Sequence, residues 1–341
     1  MISFKPKQVT KKLLSALPDR ARDVLEKRYG LGKEGETSTL EAIGQTYGIT
    51  RERVRQIENY GISSIQKSDV YGEFEEVFSE LQTIIESLGG GLMAEHDLLN
   101  EITDDTTLRN HIYFLLVIGN SFYRSRENTS YAHRWYTEKK VADLVEKALK
   151  KVHGTLTRDD LVDEEEIINR FREELTDLAQ AKDEVILKRW LQISKDISAN
   201  PLGEWGHSSS PNVRVKGIRD FAYLVVKRHG SPMHFREVAE AIEELFERKA
   251  HTATCHNELI KDERFVLVGR GLYALTEWGY SAGVVKDVLR DILEQNGPLS
   301  REEIIDKVRK ERYVKDNTIV VNLQDGTLFK RLSNGTYAIV E

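Results

Sequence analysis

One order of local patterns recurs along the second half of the chain, and it restricts the possible folds more than any other feature. From Asp220 the sequence reads an amphipathic helix (FAYLVVKRHG), a short proline-bearing loop (SPMH), a second helix (FREVAEAIEELFERK), a third (TATCHNELIKD) and a hairpin pattern, RFVLVGRGLYALTEW. Gly269-Arg270-Gly271 separates the two β-rich runs, which is a hairpin signal. From Val284 the order repeats as VVKDVLRDILEQNG, PLS, REEIIDKVRKERY, KDNTIVVNLQD and GTLFKRLSNGTYAIVE, with Asn334-Gly335 at the hairpin tip. Helix, helix, helix, hairpin is the order of a winged helix-turn-helix. Fainter copies occupy 76–135, where helices again precede aromatic strands, and 141–198, which begins the same way but loses a clear hairpin. Self-similarity at a fixed period points to an array of small modules, each with a small core. The expected fold class is mainly α with small β-hairpin wings.

The 341 residues suit several domains rather than one large core. Lys and Arg number 50 against 56 Asp and Glu, giving a formal charge of −6 that argues against a nonspecific nucleic-acid coat. That average hides a division. Residues 1–71 hold 13 basic and 9 acidic residues, residues 72–212 hold 16 and 27, and the remainder is nearly balanced. The change near residue 71 predicts a domain boundary. A second break, NPLGEWGHSSSPN at 200–212, has the glycines, prolines and serines of a linker, with Trp205 as an aromatic suited to docking on a neighbour. The expected organisation is a head at 1–71, modules at 72–138 and 139–199, a linker at 200–216, and modules at 217–281 and 282–341.

Several function classes are disfavoured. Cys255 is the single cysteine, so a disulfide framework is impossible and a thiolate zinc site lacks ligands. The longest apolar run, Tyr113 to Gly119, is far short of a membrane span. The start carries no secretory signal, and a cytoplasmic, nucleoid-associated location is expected. Asp159–Glu166 (DDLVDEEE) reads as a helix start favoured by the helix dipole rather than a metal site. His207, His229, His234, His251 and His256 have no metal-ligand spacing, and no nucleophile elbow, P-loop or dinucleotide fingerprint is present. No cofactor, metal, membrane or small-molecule substrate is expected, and the protein is not expected to be an enzyme.

The most informative segment is TLEAIGQTYGITRERVRQIENYGISSI, Thr39–Ile65. Leu40, Ile43 and Tyr47 share one helix face, Thr39 suits an N-cap and Gly48 suits the turn. Thr50 suits the cap of a second helix whose Val54, Ile57 and Ile65 keep helical spacing. Its outward positions are Arg51, Glu52, Arg55, Gln56 and Asn59. Arg pairs with guanine, Gln and Asn with adenine, and Glu accepts from cytosine. The start of a recognition helix is the part that enters the major groove. Thr50, Arg53 and Asn59, with Lys27, Arg28 and Lys33 upstream, suit the phosphate backbone, as does Arg270 at the later hairpin tip. The cluster Arg214, Lys216 and Arg219 reads more simply as solubilising.

Leu17-Pro18, RARDVLEKRYGL and TLEAIGQTYGITRERVRQIE together resemble region 4 of housekeeping-type bacterial sigma factors, over about residues 13–66. The resemblance implies that Arg51, Glu52, Arg55 and Gln56 contact bases of a promoter −35 type, and that RNA polymerase is a partner. Two departures stand out. Sigma factors continue with a small residue and a basic run where this chain has Asn59-Tyr60-Gly61 and only Lys67, and nothing resembles the aromatic-rich region that melts the −10 element. Residues 217–278 are similar to HARE-type winged helix-turn-helix domains, through GIRDFAYLVVKRHGSPMHFREVAEAI and RFVLVGRGLYALTEW. The expectation is a DNA-binding transcription regulator that reads double-stranded promoter-like DNA and contacts polymerase without melting promoters. The alternative is a polymerase- or nucleoid-associated adaptor whose sigma-like head binds protein.

Overall fold

The computed structural model describes residues 2–175, 178, 182–280 and 284–340. It divides into two compact units, one of Met1–Ala199 with Glu204–Ser209, the other of Asn200–Gly203 with Ser210–Glu341. The chain is mainly helical, with small antiparallel strand pairs.

The first unit begins with helices α1 (Pro6–Leu14), α2 (Asp19–Tyr29), α3 (Leu40–Tyr47), α4 (Arg51–Gln66) and the short α5 (Asp69–Gly72). Then come α6 (Glu75–Gly89), β1 (Leu92–Ala94), α7 (Glu95–Ile102), α8 (Thr106–Ile118), β2 (Tyr123–Ser125) and β3 (Arg134–Tyr136). It ends with α9 (Lys139–Thr155), α10 (Glu164–Leu175), α11 (Glu184–Leu191), β4 (Ile197–Ala199) and β5 (Trp205–His207). In the second unit, α12 (Ile218–His229), β6 (Met233–His234), α13 (Phe235–Phe246), α14 (Thr252–Lys261), β7 (Phe265–Gly269) and β8 (Leu272–Leu275) precede α15 (Val285–Asn296), α16 (Arg301–Glu311), α17 (Asp316–Leu323), β9 (Phe329–Arg331) and β10 (Tyr337–Ile339).

One strand topology occurs in every repeat. A short strand after the first helix pairs with the second strand of the hairpin, as in the sheet orders β1-β3-β2 and β6-β8-β7. The other two repeats reduce that short strand to a single bridge, Val162 to Trp205 beside β4–β5 and Leu299 to Tyr337 beside β9–β10. The repeat at 139–199 therefore has the hairpin that its sequence concealed. Its second strand is only three residues long and lies inside the glycine- and proline-rich stretch, so period-2 alternation had no room to show. The expected linker is corrected accordingly. Trp205 packs with Trp190, Ile193 and Ile197 in the core of the first unit, and burial of the indole fixes a segment whose composition suggested a tether.

The boundary expected at residue 71 does not separate two cores. Leu13, Leu14, Leu25 and Ile65 share one hydrophobic cluster with Phe78, Leu81, Ile112, Phe114 and Ile118. The Asn110 amide donates to the carbonyls of Gly30 (3.2 Å) and Gly35 (2.7 Å), and Gln66 Nε2 donates to the Ile118 carbonyl at 3.1 Å. The change in charge lies on the surface, whereas the apolar faces of α1 and α2 are covered by α8 from later in the chain.

His111, on α8, is 5% exposed and its Nδ1 has no hydrogen-bond partner among the described residues. Burial holds its pKa below the ordinary histidine value, with Lys7 acting in the same direction and Asp105 opposing. Above about pH 6.5 the imidazole is neutral in both folded and unfolded chains, so it adds no pH dependence there. As pH falls below that value the unfolded chain takes up a proton that the folded site disfavours, so stability declines. His111→Gln should flatten this part of the profile, read as the urea midpoint between pH 7.5 and 5.5; an unchanged slope would contradict the assignment.

Asp163 caps α10 by accepting from the Glu166 amide at 2.7 Å, and Glu164, Glu165 and Glu166 occupy its first turn. The acidic run thus has the helix-start placement its sequence suggested. Within the second unit, the Tyr313 amide donates to the Val268 carbonyl at 3.0 Å and the Arg312 guanidinium donates to the Leu267 carbonyl. These hydrogen bonds partly cap β7, an edge strand that would otherwise offer unpaired backbone groups.

Candidate nucleic-acid interface

Helices α2, α3 and α4 enclose a small apolar core of Val24, Ile43 and Val54, with Leu40, Tyr47, Ile49 and Ile57 packed around it. Both helix starts are capped as their sequences suggest. The Ala42 amide donates to Thr39 Oγ1 at 3.1 Å, and the Arg53 amide donates to Thr50 Oγ1 at 3.2 Å. Gly48 takes the left-handed conformation, φ +64°, that closes α3 and lets the chain reverse into α4. Gly44 sits where the turn presses closest: a Cβ there would lie 2.7 Å from the Ile49 carbonyl oxygen.

With Val54 anchored inward, Arg51, Glu52, Arg53, Arg55, Gln56 and Asn59 are all exposed on α4. Arg55 donates to both carboxylate oxygens of Glu52, Nε at 2.9 Å and Nη2 at 2.7 Å, and Arg53 Nη1 donates to Gln56 Oε1 at 2.9 Å. The Arg55 guanidinium holds the Glu52 carboxyl below its ordinary pKa, and Glu52 raises that of Arg55. Exposed pairs of this kind contribute little stability, so these groups can exchange one another for base edges at small cost. Thr50 serves first as the helix cap, with its hydroxyl at the exposed rim.

The upstream cations are differently employed. Lys27 Nζ pairs with Asp23 at 2.8 Å and lies 5.1 Å over the Tyr47 ring, whose hydroxyl also donates to Asp23. Arg28 Nη1 donates to the Ser38 carbonyl at 3.3 Å, and its Nε is 3.5 Å from Glu58, which accepts from the Tyr29 hydroxyl at 2.9 Å. Both side chains brace α2 against its neighbours, whereas Lys33 is exposed and makes no such contact among the described residues. Arg270 is exposed at the β7–β8 turn of the second unit, where Gly271 adopts φ +73°.

Sequence reasoning missed the bracing set Asp23, Tyr47 and Glu58: Tyr47 meets Asp23, and Glu58 meets Tyr29, across 24 and 29 residues, although the Asp23–Lys27 pair is four residues apart on α2. Gly44 did carry a signal, since a glycine inside an otherwise good helix usually has a packing reason. Among the described residues no group of three or more His, Cys, Asp or Glu is placed to hold a metal ion, and no helix is long and apolar enough to cross a membrane. Cys255 is buried, which pushes its thiol up to about 11 and leaves it poorly suited to nucleophilic chemistry.

Residues 13–67 match the family described as sigma-70, region 4. A stretch of 47 residues is 57% identical to RNA polymerase sigma factor SigA of Nostoc sp., and one of 46 residues is 59% identical to RNA polymerase sigma factor SigA1 of Synechococcus elongatus. Each alignment covers 14% of this chain, and 12% and 11% of the respective relatives. The chain thus spans about a tenth of the length of the curated relatives it matches.

Proposed function

With residues 13–67 a sigma-70 region 4 helix-turn-helix, we propose that the protein is a transcription regulator that reads a promoter-like site in double-stranded DNA through α4. The observation that carries this reading is the outward placement of Arg51, Glu52, Arg55 and Gln56 on the first turns of a Thr50-capped helix anchored by Val54. Thr50, Arg53 and Asn59 border the base-reading group and act on the flanking phosphates. Lys27 and Arg28 contribute local positive charge while bracing the fold, and Arg270 is a wing-tip group that meets phosphate.

The four repeats support a winged-helix reading through their shared helix-strand-helix-helix-hairpin order, with 217–278 of HARE type. RNA polymerase is the proposed protein partner, in keeping with the names of the two sigma factors that the head resembles. The protein recruits, redirects or blocks polymerase and does not open promoters itself. Its place is in the cytoplasm at the nucleoid.

Replacing Arg55 and Gln56 together by Ala should weaken binding to a duplex carrying a −35-type element by about 30-fold or more, since each good bidentate base pairing contributes about 1–3 kcal/mol of discrimination and two are removed. Binding to an unrelated duplex should change little. Fluorescence anisotropy on both duplexes checks this, and equal affinity of wild type and variant for the promoter-like duplex would overturn the reading. A second reading, an adaptor whose head binds protein, is favoured by the 27 acidic against 16 basic residues of 72–212. It requires polymerase capture that depends on the head while DNA affinity is insensitive to Arg55 and Gln56.

A further inference from the structure

The acidic middle of the chain contains one strongly basic face. Residues 139–151 (KKVADLVEKALKK) hold five lysines against Asp143 and Glu146, in a segment that is otherwise heavily negative. Helix α9 sorts these charges by side. Ala142, Val145, Ala148, Leu149 and Val152 are buried, and Glu146 is turned to Arg134, whose Nε donates to it at 2.7 Å. Lys139, Lys140, Lys147, Lys150 and Lys151 are all exposed. At 100° per residue these lysines fall within one third of the helix circumference, and Asp143 is the one acid on that face.

On a helix surface, opposite charges three or four residues apart attract and like charges repel. Lys147 has Asp143 four residues before it and Lys150 and Lys151 three and four residues after it, so like-charged neighbours outnumber the one acid on this face. Lys151 is held by Glu174 at 2.5 Å. Among the described residues no carboxylate lies within ion-pair distance of Lys139, Lys140, Lys147 or Lys150. The third helix of the same repeat, α11, is unsuited to DNA because Asp183, Glu184 and Val185 are exposed at its start. The first helix, by contrast, presents the lysines.

We infer that the lysine face of α9 is a second, sequence-independent surface for the DNA phosphate backbone. The inference rests on the DNA-reading function proposed for α4, which belongs to the same compact unit. From Lys139 to Lys150 the helix rises about 16 Å, the axial rise of roughly five base-pair steps of a duplex. Ammonium groups on flexible stems suit phosphates and carry no base information, so α9 adds affinity where α4 adds selectivity. It also places a DNA-facing surface inside the segment whose summed charge argues against one.

The test uses the full chain with Lys139, Lys140, Lys147 and Lys150 changed to Gln, and a second variant with the same positions changed to Arg. Binding to a promoter-like duplex and to an unrelated duplex is measured over a salt series. The Gln variant should bind both duplexes about tenfold or more weakly. Its slope of log affinity against log salt should fall by about 2 to 4, since each phosphate that is no longer neutralised removes about 0.9 from the slope. The Arg variant should retain both affinity and slope. Unchanged affinity and slope in the Gln variant would overturn the inference, as would loss of polymerase capture with DNA binding intact. The Arg55 and Gln56 double variant loses only the promoter-like duplex. A chain with no sequence preference would sink the α4 reading while leaving the salt slope free to judge α9.

Discussion

Trp190→Ala should destabilise the first unit by about 4 kcal/mol or more. The side chain is fully buried, and its indole Nε1 donates to two carbonyls, Gly89 at 2.7 Å and Leu92 at 3.0 Å. Truncating a core Trp costs about 3–5 kcal/mol through reduced burial and the cavity left behind. The two carbonyls lose their shared donor as well, which adds roughly another 1–3 kcal/mol unless water reaches them. Gly90, between them, adopts φ +60°, and a Cβ there would lie 3.1 Å from the indole. The turn and the Trp are thus fitted to each other. Trp190→Phe keeps most of the volume and removes the donor, so it should cost clearly less than the Ala change. Urea unfolding followed by far-ultraviolet circular dichroism ranks the two, and equal costs would show that the hydrogen bonds contribute nothing.

Gly44→Ala should disable the helix-turn-helix while leaving the rest of the first unit folded. In an isolated helix this change is favourable by about 1 kcal/mol. Here the new methyl would lie 2.7 Å from the Ile49 carbonyl oxygen. The obstacle is backbone, which cannot swing away as a long side chain can. Forcing an extra methyl into a packed site costs about 1–3 kcal/mol, so the clash outweighs the propensity gain. Ile49 immediately precedes Thr50, the cap of α4, so relieving the clash moves the start of the recognition helix relative to α3. The expected result is faster amide exchange across 40–60 and at least tenfold weaker binding to a promoter-like duplex, with little change around Phe114 and Trp190. Full DNA affinity in the variant would show that the turn tolerates the shift.

The helix-turn-helix was legible because each of its determinants is local. Thr39 and Thr50 cap the helices that follow them by accepting from amides three residues on, Gly48 closes a turn, and Ile43, Tyr47 and Val54 repeat with the helix period. The same locality exposed the outward set proposed to read bases on α4, since the anchored Val54 fixes which side chains face outward. Lys27 and Arg28 were harder to place because Tyr47, which completes the Lys27–Asp23 pair, and Ser38 and Glu58, which hold Arg28, reach α2 only when the chain from 38 to 58 packs on it. The strand Trp205–His207 was hidden by its glycine- and serine-rich surroundings, although the lone Trp205 marked where the chain would dock.

By itself, the sequence determined the order of the helices, the turns of the helix-turn-helix and the residue types of the α4 face, because these depend on interactions within a few residues. Only the tertiary structure decided that residues 1–71 share a core with α6 and α8, and that part of the apparent linker is a strand of the first unit. It also decided which way the charges of α9 face. The physical reason is that composition averages over all sides of a helix, whereas packing buries one side and leaves the remainder to act.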